Sequence, residues 1–552
     1  MIVTRLLALA GALLATCAAA AETPRAPHLA AASSFGQTWA PGMLDAGERA
    51  GPSDVGDEGG GRHGRRDWGL HCGGPINRYP ARWPDRGMAL SVVVNSGPPD
   101  GQGGMTATTP GAVAAFADYA ARLAARFPAI TSVEVGNEMN SDDFTSGPMR
   151  AAGLDERARL YAALLAATRR AVQDTRPEVR IIGGAALAMP LAWFTALSEA
   201  GAPALMDSLA LHPYTTPPEQ FRRQLALLRA IPGYETLPID VTEFGTPEPD
   251  EAPAYLMKYH CQMALAGVAR AVWYPLNPRG DGMAALLTPE GTPTDLGRTF
   301  QRLQALTGLP ALDVSPDPFT YACQFGPRAL VIWGAPRAVT LTDPALAAQD
   351  PLGRPVPDPG LTRDTPLFIT STGPEVMLGG TVRLGPQTVI ADSFDQFAYP
   401  GQPGDGFERF ARAGGAAIAF TLGPGQQTGG VPWTPYLGTT GDGMLRMDAE
   451  FLMPSMHAAG PAEIVHRFTA PEAMRVNLTA LLDPAGDRGD GLRLSVNLNG
   501  RQLATRHVTR RETLVLEGLT LETGDKLDIV AGPGATPDGD DALYRFTLRR
   551  AP

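Results

Sequence analysis

Between about residues 87 and 275, short apolar runs rich in β-branched residues alternate with stretches whose apolar residues recur at helical spacing. Strands are read at 88–95, 133–138, 180–185, 208–214, 238–244 and 271–276, and helices at 110–127, 155–174, 190–199, 217–230 and 252–268. A strand that returns to its sheet through a helix runs parallel to its predecessor, and the crossover is almost always right-handed. The helix at 110–127 shows the local logic. Pro110 stands near its start, where an amide hydrogen is not needed, and Val113, Phe116, Ala117, Ala120 and Ala124 fall on one face. No Gly-rich nucleotide loop follows a first strand. A closed eight-stranded β/α barrel therefore fits this length better than an open doubly wound sheet.

The weak part of the pattern is residues 35–80. Phe35-Gly36-Gln37 could end the first strand and Arg65-Arg66-Asp67-Trp68 could sit on the second. The intervening 42–62, rich in Gly, Asp and Arg, shows no amphipathic stripe, so the expected first helix is missing there.

Beyond about Pro310 the helical periodicity stops, and short β runs separated by Pro and Gly take over. Residues 321–333 read as a hairpin within a small β domain at 309–375. From 376 to 552, short alternating segments such as 493–497, 513–517 and 526–530, with turns at Asn499-Gly500 and Thr523-Gly524-Asp525, predict an antiparallel β-sandwich. The expected architecture is thus α/β: a (β/α)8 TIM barrel over 22–308, a small β domain, and a C-terminal sandwich. That division agrees with 552 residues at roughly 100–200 per domain, barrels running larger.

Arg5, an apolar run from Leu6 to Ala15 and the small residues Ala18 to Ala21 have the order of a secretory signal over 1–21. The run is too short to span a bilayer. Leu14-Ala15-Thr16-Cys17 resembles a lipoprotein cleavage box, but Thr16 fits poorly before the cysteine. The expected location is periplasmic or secreted. Loss of Cys17 would leave Cys72, Cys261 and Cys323, enough for at most one disulfide and without metal-ligand spacing. Buried packing is the expected role of each. The formal net charge is −11 and no Lys/Arg run offsets it, which argues against nucleic acid or an anionic membrane as partner. A neutral or cationic polysaccharide is the better-matched polymer.

Two runs, Val133-Glu134-Val135-Gly136-Asn137-Glu138 and Asp240-Val241-Thr242-Glu243-Phe244-Gly245, each read as an apolar strand ending in a glutamate. Glycoside hydrolysis uses two carboxyl groups flanking the anomeric carbon, one as acid and one as nucleophile or base. Gly136-Asn137-Glu138, His212-Pro213-Tyr214 and Thr242-Glu243-Phe244-Gly245, in that order, resemble the motifs of clan A retaining glycoside hydrolases, most nearly family 39, over about residues 85–300. The resemblance implies Glu138 as acid/base, Glu243 as nucleophile, Asn137 on the sugar 2-hydroxyl, and His212 and Tyr214 lining the subsite and holding the nucleophile. It also implies Trp273 as a stacking face, Arg65 or Arg66 as a second-strand arginine near the nucleophile, and no metal or organic cofactor.

Each residue also has a plainer reading. Either glutamate alone could cap a helix or form a surface ion pair. Glu134, on the same face as Glu138, reads as an interior barrel residue with a structural partner. His212 could be a core histidine, and Trp273 could simply fill the barrel. In the sandwich, Trp433-Thr434-Pro435-Tyr436 resembles sugar-binding modules, with core packing as the alternative. The expected function is a secreted retaining hydrolase of a β-linked oligo- or polysaccharide, such as a bacterial exopolysaccharide. A non-catalytic carbohydrate-binding barrel, or a transglycosidase remodelling envelope glycan, would carry the same motifs.

Overall fold

A computed structural model of the chain describes residues 23–33, 41–50, 54–59, 87–95 and 103–552 apart from 405, 428, 440–441, 458–459, 487–488 and 537–538. Residues 1–22, with the signal segment and Cys17, lie outside the described residues, as do Phe35-Gly36-Gln37, Arg65, Arg66 and Cys72. No described helix is long and apolar enough to cross a membrane.

Eight parallel strands close into a barrel in chain order: β1 (His28–Ser33), β2 (Asp54–Gly59), β3 (Ala89–Val94), β4 (Ile130–Val135), β5 (Arg180–Leu187), β6 (Ser208–His212), β7 (Ile239–Phe244) and β8 (Arg270–Trp273). Closure is made by β1 on β8, in register from His28↔Arg270 to Ala31↔Trp273. Around the strands lie α1 (Pro41–Ala50), α2 (Pro110–Arg126), α3 (Gly147–Ala151), α4 (Leu154–Thr175), α5 (Leu191–Glu199), α6 (Phe221–Arg229), α7 (Ala252–Leu265) and α8 (Asp295–Gln304). Helix α2 begins where Thr109 caps it, its side chain accepting from the Ala112 amide at 3.3 Å. Its buried Phe116, Ala120, Ala121 and Ala124 belong to the core between helices and barrel. Burying Phe116 alone contributes roughly 1.5–3 kcal/mol.

Two expectations for the first β/α units are corrected. A first helix is present, α1, and its Ala46 is buried while Gly47 lies close to the Leu276 side chain. The second strand is β2, upstream of Arg65 and Arg66. Its sequence, Asp-Val-Gly-Asp-Glu-Gly, has little β propensity. Ladders to β1 and β3 on both sides supply the hydrogen bonds that hold it extended.

The hairpin Thr320–Phe325 and Ala329–Gly334 sits in a five-stranded antiparallel sheet beside a three-stranded one. In the latter, Val382–Leu384 pairs with Arg337–Leu341, which carries this layer beyond the 375 read from sequence. Among the described residues, two antiparallel sheets of eight and seven strands follow, with Ile464, Leu478, Leu494 and Phe546 in the core. Asn499 and Gly500 both have positive φ, 50° and 81°, and join Leu492–Leu498 to Arg501–Val508 as a tight hairpin.

Buried charge ties the layers together. Asp392 and Asp395, at the start of the sandwich, receive Arg363 of the small β layer at 2.8 and 3.1 Å and Arg545 of the last strand at 3.1 and 2.9 Å. From the barrel, Gln220 Nε2 donates to the Phe394 carbonyl at 2.9 Å.

Cys261 on α7 and Cys323 in the small β layer are joined as a disulfide, with Cα atoms 5.7 Å apart and a separation of 62 in sequence. The expectation of simple packing is therefore corrected for this pair: both are buried, and they are bonded. The sequence places them far apart, and only the docking of the small β layer on α7 brings them together. Closing a loop of this length restricts the unfolded chain, so replacing both cysteines by Ala should lower stability by about 2–4 kcal/mol in denaturant titration.

Candidate active site

Glu138 lies beyond the end of β4, on a turn with two left-handed residues, Gly136 (φ 83°) and Glu138 itself (φ 45°). A Cβ on Gly136 would stand 2.5 Å from Met139 Cγ, so only glycine fits there. Left-handed backbone at a glutamate costs on the order of 1–3 kcal/mol and persists only where the surroundings hold it. Here Gly136 N–H donates to the Val94 carbonyl (2.9 Å), Asn137 N–H to Asn95 Oδ1 (3.1 Å) and Met139 N–H to the Ala185 carbonyl (3.0 Å). The turn is thus pinned to β3 and β5.

On β7 the pairing with β8 shifts register between Val241 and Phe244. Val241 and Phe244 pack into the outer hydrophobic layer, while both Thr242 and Glu243 line the cavity at the barrel's carboxyl end. Gly245 then approaches the end of β8 so closely that a Cβ would meet the Tyr274 carbonyl at 2.4 Å.

His212, at the end of β6 and fully buried, links these parts. Burial opposes its protonation, but the charge of Glu243 and the acceptor oxygens of Glu134 and Glu138 beside the ring prevail and hold its pKa well above the usual histidine value. The protonated ring donates from Nδ1 to Glu138 Oε1 at 3.0 Å and from Nε2 to Thr242 Oγ1 at 3.0 Å. Thr242 passes its own hydrogen to Glu134 Oε1 at 3.1 Å. Glu243 Oε2 lies 3.9 Å from His212 Nδ1 and accepts from the Tyr214 hydroxyl at 3.0 Å. Burial first, then the Glu243 charge, raises the Tyr214 pKa and keeps the phenol a donor.

The sequence-read residues Glu138, Asn137, His212, Tyr214 and Glu243 thus converge on one rim. Asn137 is buried, and its side-chain oxygen has no hydrogen-bond partner among the described residues. Glu134 is a buried interior residue bonded to Thr242. Trp273 is corrected. It is wholly buried outside the barrel wall, edge-on to Phe244 at 5.1 Å, with Nε1 donating to the Ala284 carbonyl at 2.9 Å. Arg270 and Val272 line the cavity, so strand alternation sends Ala271 and Trp273 outward. Besides Tyr214, Tyr274 brings an aromatic ring to the cavity, with the Arg279 guanidinium 5.3 Å from its ring and its hydroxyl on Asp281 at 2.7 Å. Sequence reasoning passed over Tyr274, Thr242 and Arg270. Tyr274 continues the alternation that brings Arg270 and Val272 to the cavity.

One donor atom from each of Glu138, His212 and Glu243 lies within 4.8 Å of the others, a spacing that could hold a metal ion. Ligation would need a neutral imidazole nitrogen. Both ring nitrogens are engaged and the ring favours its charged form, so the set is better described as a hydrogen-bonded cluster.

No protein-family model and no curated protein matches the sequence. Solved structures do. A family 39 glycoside hydrolase from the gut symbiont Bacteroides cellulosilyticus WH2 is 16% identical over 63% of this chain and 81% of its own, with a TM-score of 0.50. The fold is shared with that enzyme. A family 30 endoxylanase from Clostridium papyrosolvens C71 matches at 13% identity over 63% and 98% of the two chains, TM-score 0.45. A glucosidase from Croceicoccus marinus matches at 13% over 93% and 96%, TM-score 0.42.

The raised pKa of His212 sets a stability profile. Stabilisation by its charged form is complete below the unfolded value, about 6.5, and is lost as pH rises through the folded one. Melting temperatures measured between about pH 6 and pH 9 should fall with pH in the native protein and stay flatter in His212→Gln. Parallel profiles would remove this assignment.

Proposed function

We propose that the chain is an exported retaining glycoside hydrolase acting on a β-linked glycan by double displacement, with Glu138 as acid/base and Glu243 as nucleophile. The observation that carries this reading is the pair itself: two carboxyl groups on one barrel rim, with an oxygen of each within 4.8 Å of the other. Retaining enzymes hold their carboxyl groups about 5–5.5 Å apart, whereas inverting ones need roughly 6.5–9.5 Å to admit a water.

In the first step Glu243 attacks the anomeric carbon, the glycosidic C–O bond breaks, and Glu138 gives its proton to the leaving oxygen. In the second, water attacks the same carbon, Glu138 takes the water's proton, and the ester to Glu243 breaks. The Tyr214 hydroxyl steadies the attacking carboxylate. His212 donates to Glu138 and so orients the carboxyl that gives its proton in the first step and takes one in the second. The unpartnered Asn137 oxygen supports a contact to a sugar hydroxyl, because an unmet buried acceptor costs about 1–3 kcal/mol.

A bacterial exopolysaccharide is the substrate class favoured by the resemblance to family 39, and the N-terminal segment favours a periplasmic or secreted location. Oligosaccharide substrate is the one partner this reading requires.

The decisive test is release of reducing ends from β-linked polysaccharides and aryl glycosides by the mature protein beside Glu243→Gln. Activity should fall at least about 1,000-fold in the variant, and proton NMR should show the β-anomer as the first product. An α-anomer would exclude double displacement, and no turnover by folded protein would count against hydrolysis of those substrates. Glu138→Gln should lose far more activity on glycosides with poor leaving groups than on activated aryl glycosides, which depart without a proton. Equal losses on both would assign Glu138 another role.

A further inference from the structure

Between the sandwich strands Thr421–Gly423 and Tyr436–Thr439 runs a segment that lies on the catalytic rim of the barrel. Pro424 accepts from the Ala192 amide at 3.0 Å, and Gly430 accepts from the Asp142 amide at 3.1 Å. Between those contacts, Gln426 Nε2 donates to the Asn140 carbonyl at 2.6 Å, and Asn140 Nδ2 donates back to Gln426 Oε1 at 3.1 Å. Both side chains are wholly buried. Asn140 closely follows Glu138 in the same turn, so this part of the sandwich is built against the wall of the site.

The segment then emerges. Val431 and Trp433 are 51% and 39% exposed, and with Thr215 of the barrel they line an open cleft of about 740 Å³. Ligand sites occupy roughly 300–1,000 Å³, so this cleft is the size of a binding site, and being open it leaves a longer chain free to run past its ends. Its position is informative: Thr215 directly follows Tyr214, the residue that holds Glu243. Its chemistry is too. The Arg446 guanidinium sits 3.8 Å over the Trp433 ring, covering one face and fixing the plane of the indole. Asp448, Glu450 and Asp541 line the same cleft. An immobilised indole accepts the C–H face of a pyranose, and carboxylates accept from hydroxyl or ammonium groups at its edge. Burial, and for Glu450 the neighbouring Asp448 charge, pushes the Asp448 and Glu450 carboxyls up, Glu450 to about 7, so this end of the cleft disfavours added negative charge such as that of uronates and sulfated sugars.

We propose that this cleft is a glycan-binding subsite supplied by the sandwich, which takes the part of a non-acidic glycan chain extending from the catalytic pair and uses Trp433 as its stacking platform. The proposal rests on the glycosidase reading for the identity of its ligand.

The test is affinity electrophoresis of the full chain carrying Glu243→Gln, at about 0.15 M salt to screen surface charge. The gels contain xylan, glucomannan, glycol chitosan or polygalacturonate. At least one of the first three should retard the protein, and polygalacturonate should not. Trp433→Ala should weaken the retardation at least about fivefold, within the range expected for loss of an aromatic contact. Thr215→Arg, which narrows the cleft from the barrel side, gives a second variant, and far-UV circular dichroism establishes that each is folded. Retardation left intact in both variants, retardation by polygalacturonate equal to that by the neutral polymers, or none by any of the three would overturn the subsite. Retardation requires no turnover. A chain that binds but never hydrolyses would sink the hydrolase and leave the subsite, and one that hydrolyses without retardation would do the reverse.

Discussion

The parallel pairing of β1 with β8 is the constraint on which the catalytic rim depends. Once the ring is closed, strand tilt and stagger are no longer independent, and the carboxyl ends of all eight strands must lie on one edge. Glu138, His212, Tyr214 and Glu243 come from three strand ends spread over a long stretch of chain, and the ring delivers them into hydrogen-bond range. Closure also explains why β2 is extended. A strand with two aspartates, a glutamate and two glycines would not form alone, yet a gap between β1 and β3 would leave two rows of backbone groups unpaired inside the molecule.

Within the ring, the order Glu134, Thr242, His212, Glu138 forms a continuous polar chain through the upper layer of the barrel. A buried charge without a partner is severely destabilising, and breaking such a pair by removing one member costs about 3–5 kcal/mol. An imidazolium among three glutamates satisfies this condition while leaving Glu243 partly open to the cavity. The left-handed turn at Glu138 adds strain to the same place. An apolar layer would be more stable, so what this arrangement supplies is fixed direction: each carboxylate is aimed by a donor that is itself held.

Much of this was legible from residue pattern. The helices at 110–127, 155–174 and 190–199 are present with ends shifted by little, because their apolar faces are long and their starts are marked by Pro or by a preceding turn. The two glutamate motifs survive because a glycine forced by close approach, Gly136 or Gly245, stands beside each. What failed did so for identifiable reasons. α1 and β2 are specified by their neighbours more than by their own composition. Trp273 was placed at the sugar by the family resemblance alone, and standing out of step with the cavity-lining Arg270, Val272 and Tyr274 it falls on the outer face of its strand. The disulfide between Cys261 and Cys323 depends on docking between layers, which no local window contains. Gln426 against Asn140 was invisible for the same reason.

That last contact changes what the sandwich is to the barrel. Asn140 uses its side chain to bridge from the turn of Glu138 to Leu187 on β5, and the same amide is completed from behind by Gln426. A chain cut after the small β layer would expose Asn140 to water and strip the outer support from the turn that carries Glu138. The two parts are therefore unsuited to independent exchange: a sandwich grafted from elsewhere would have to reproduce a glutamine at one position on one loop, and gene fusions that move this barrel must carry its C-terminal half along.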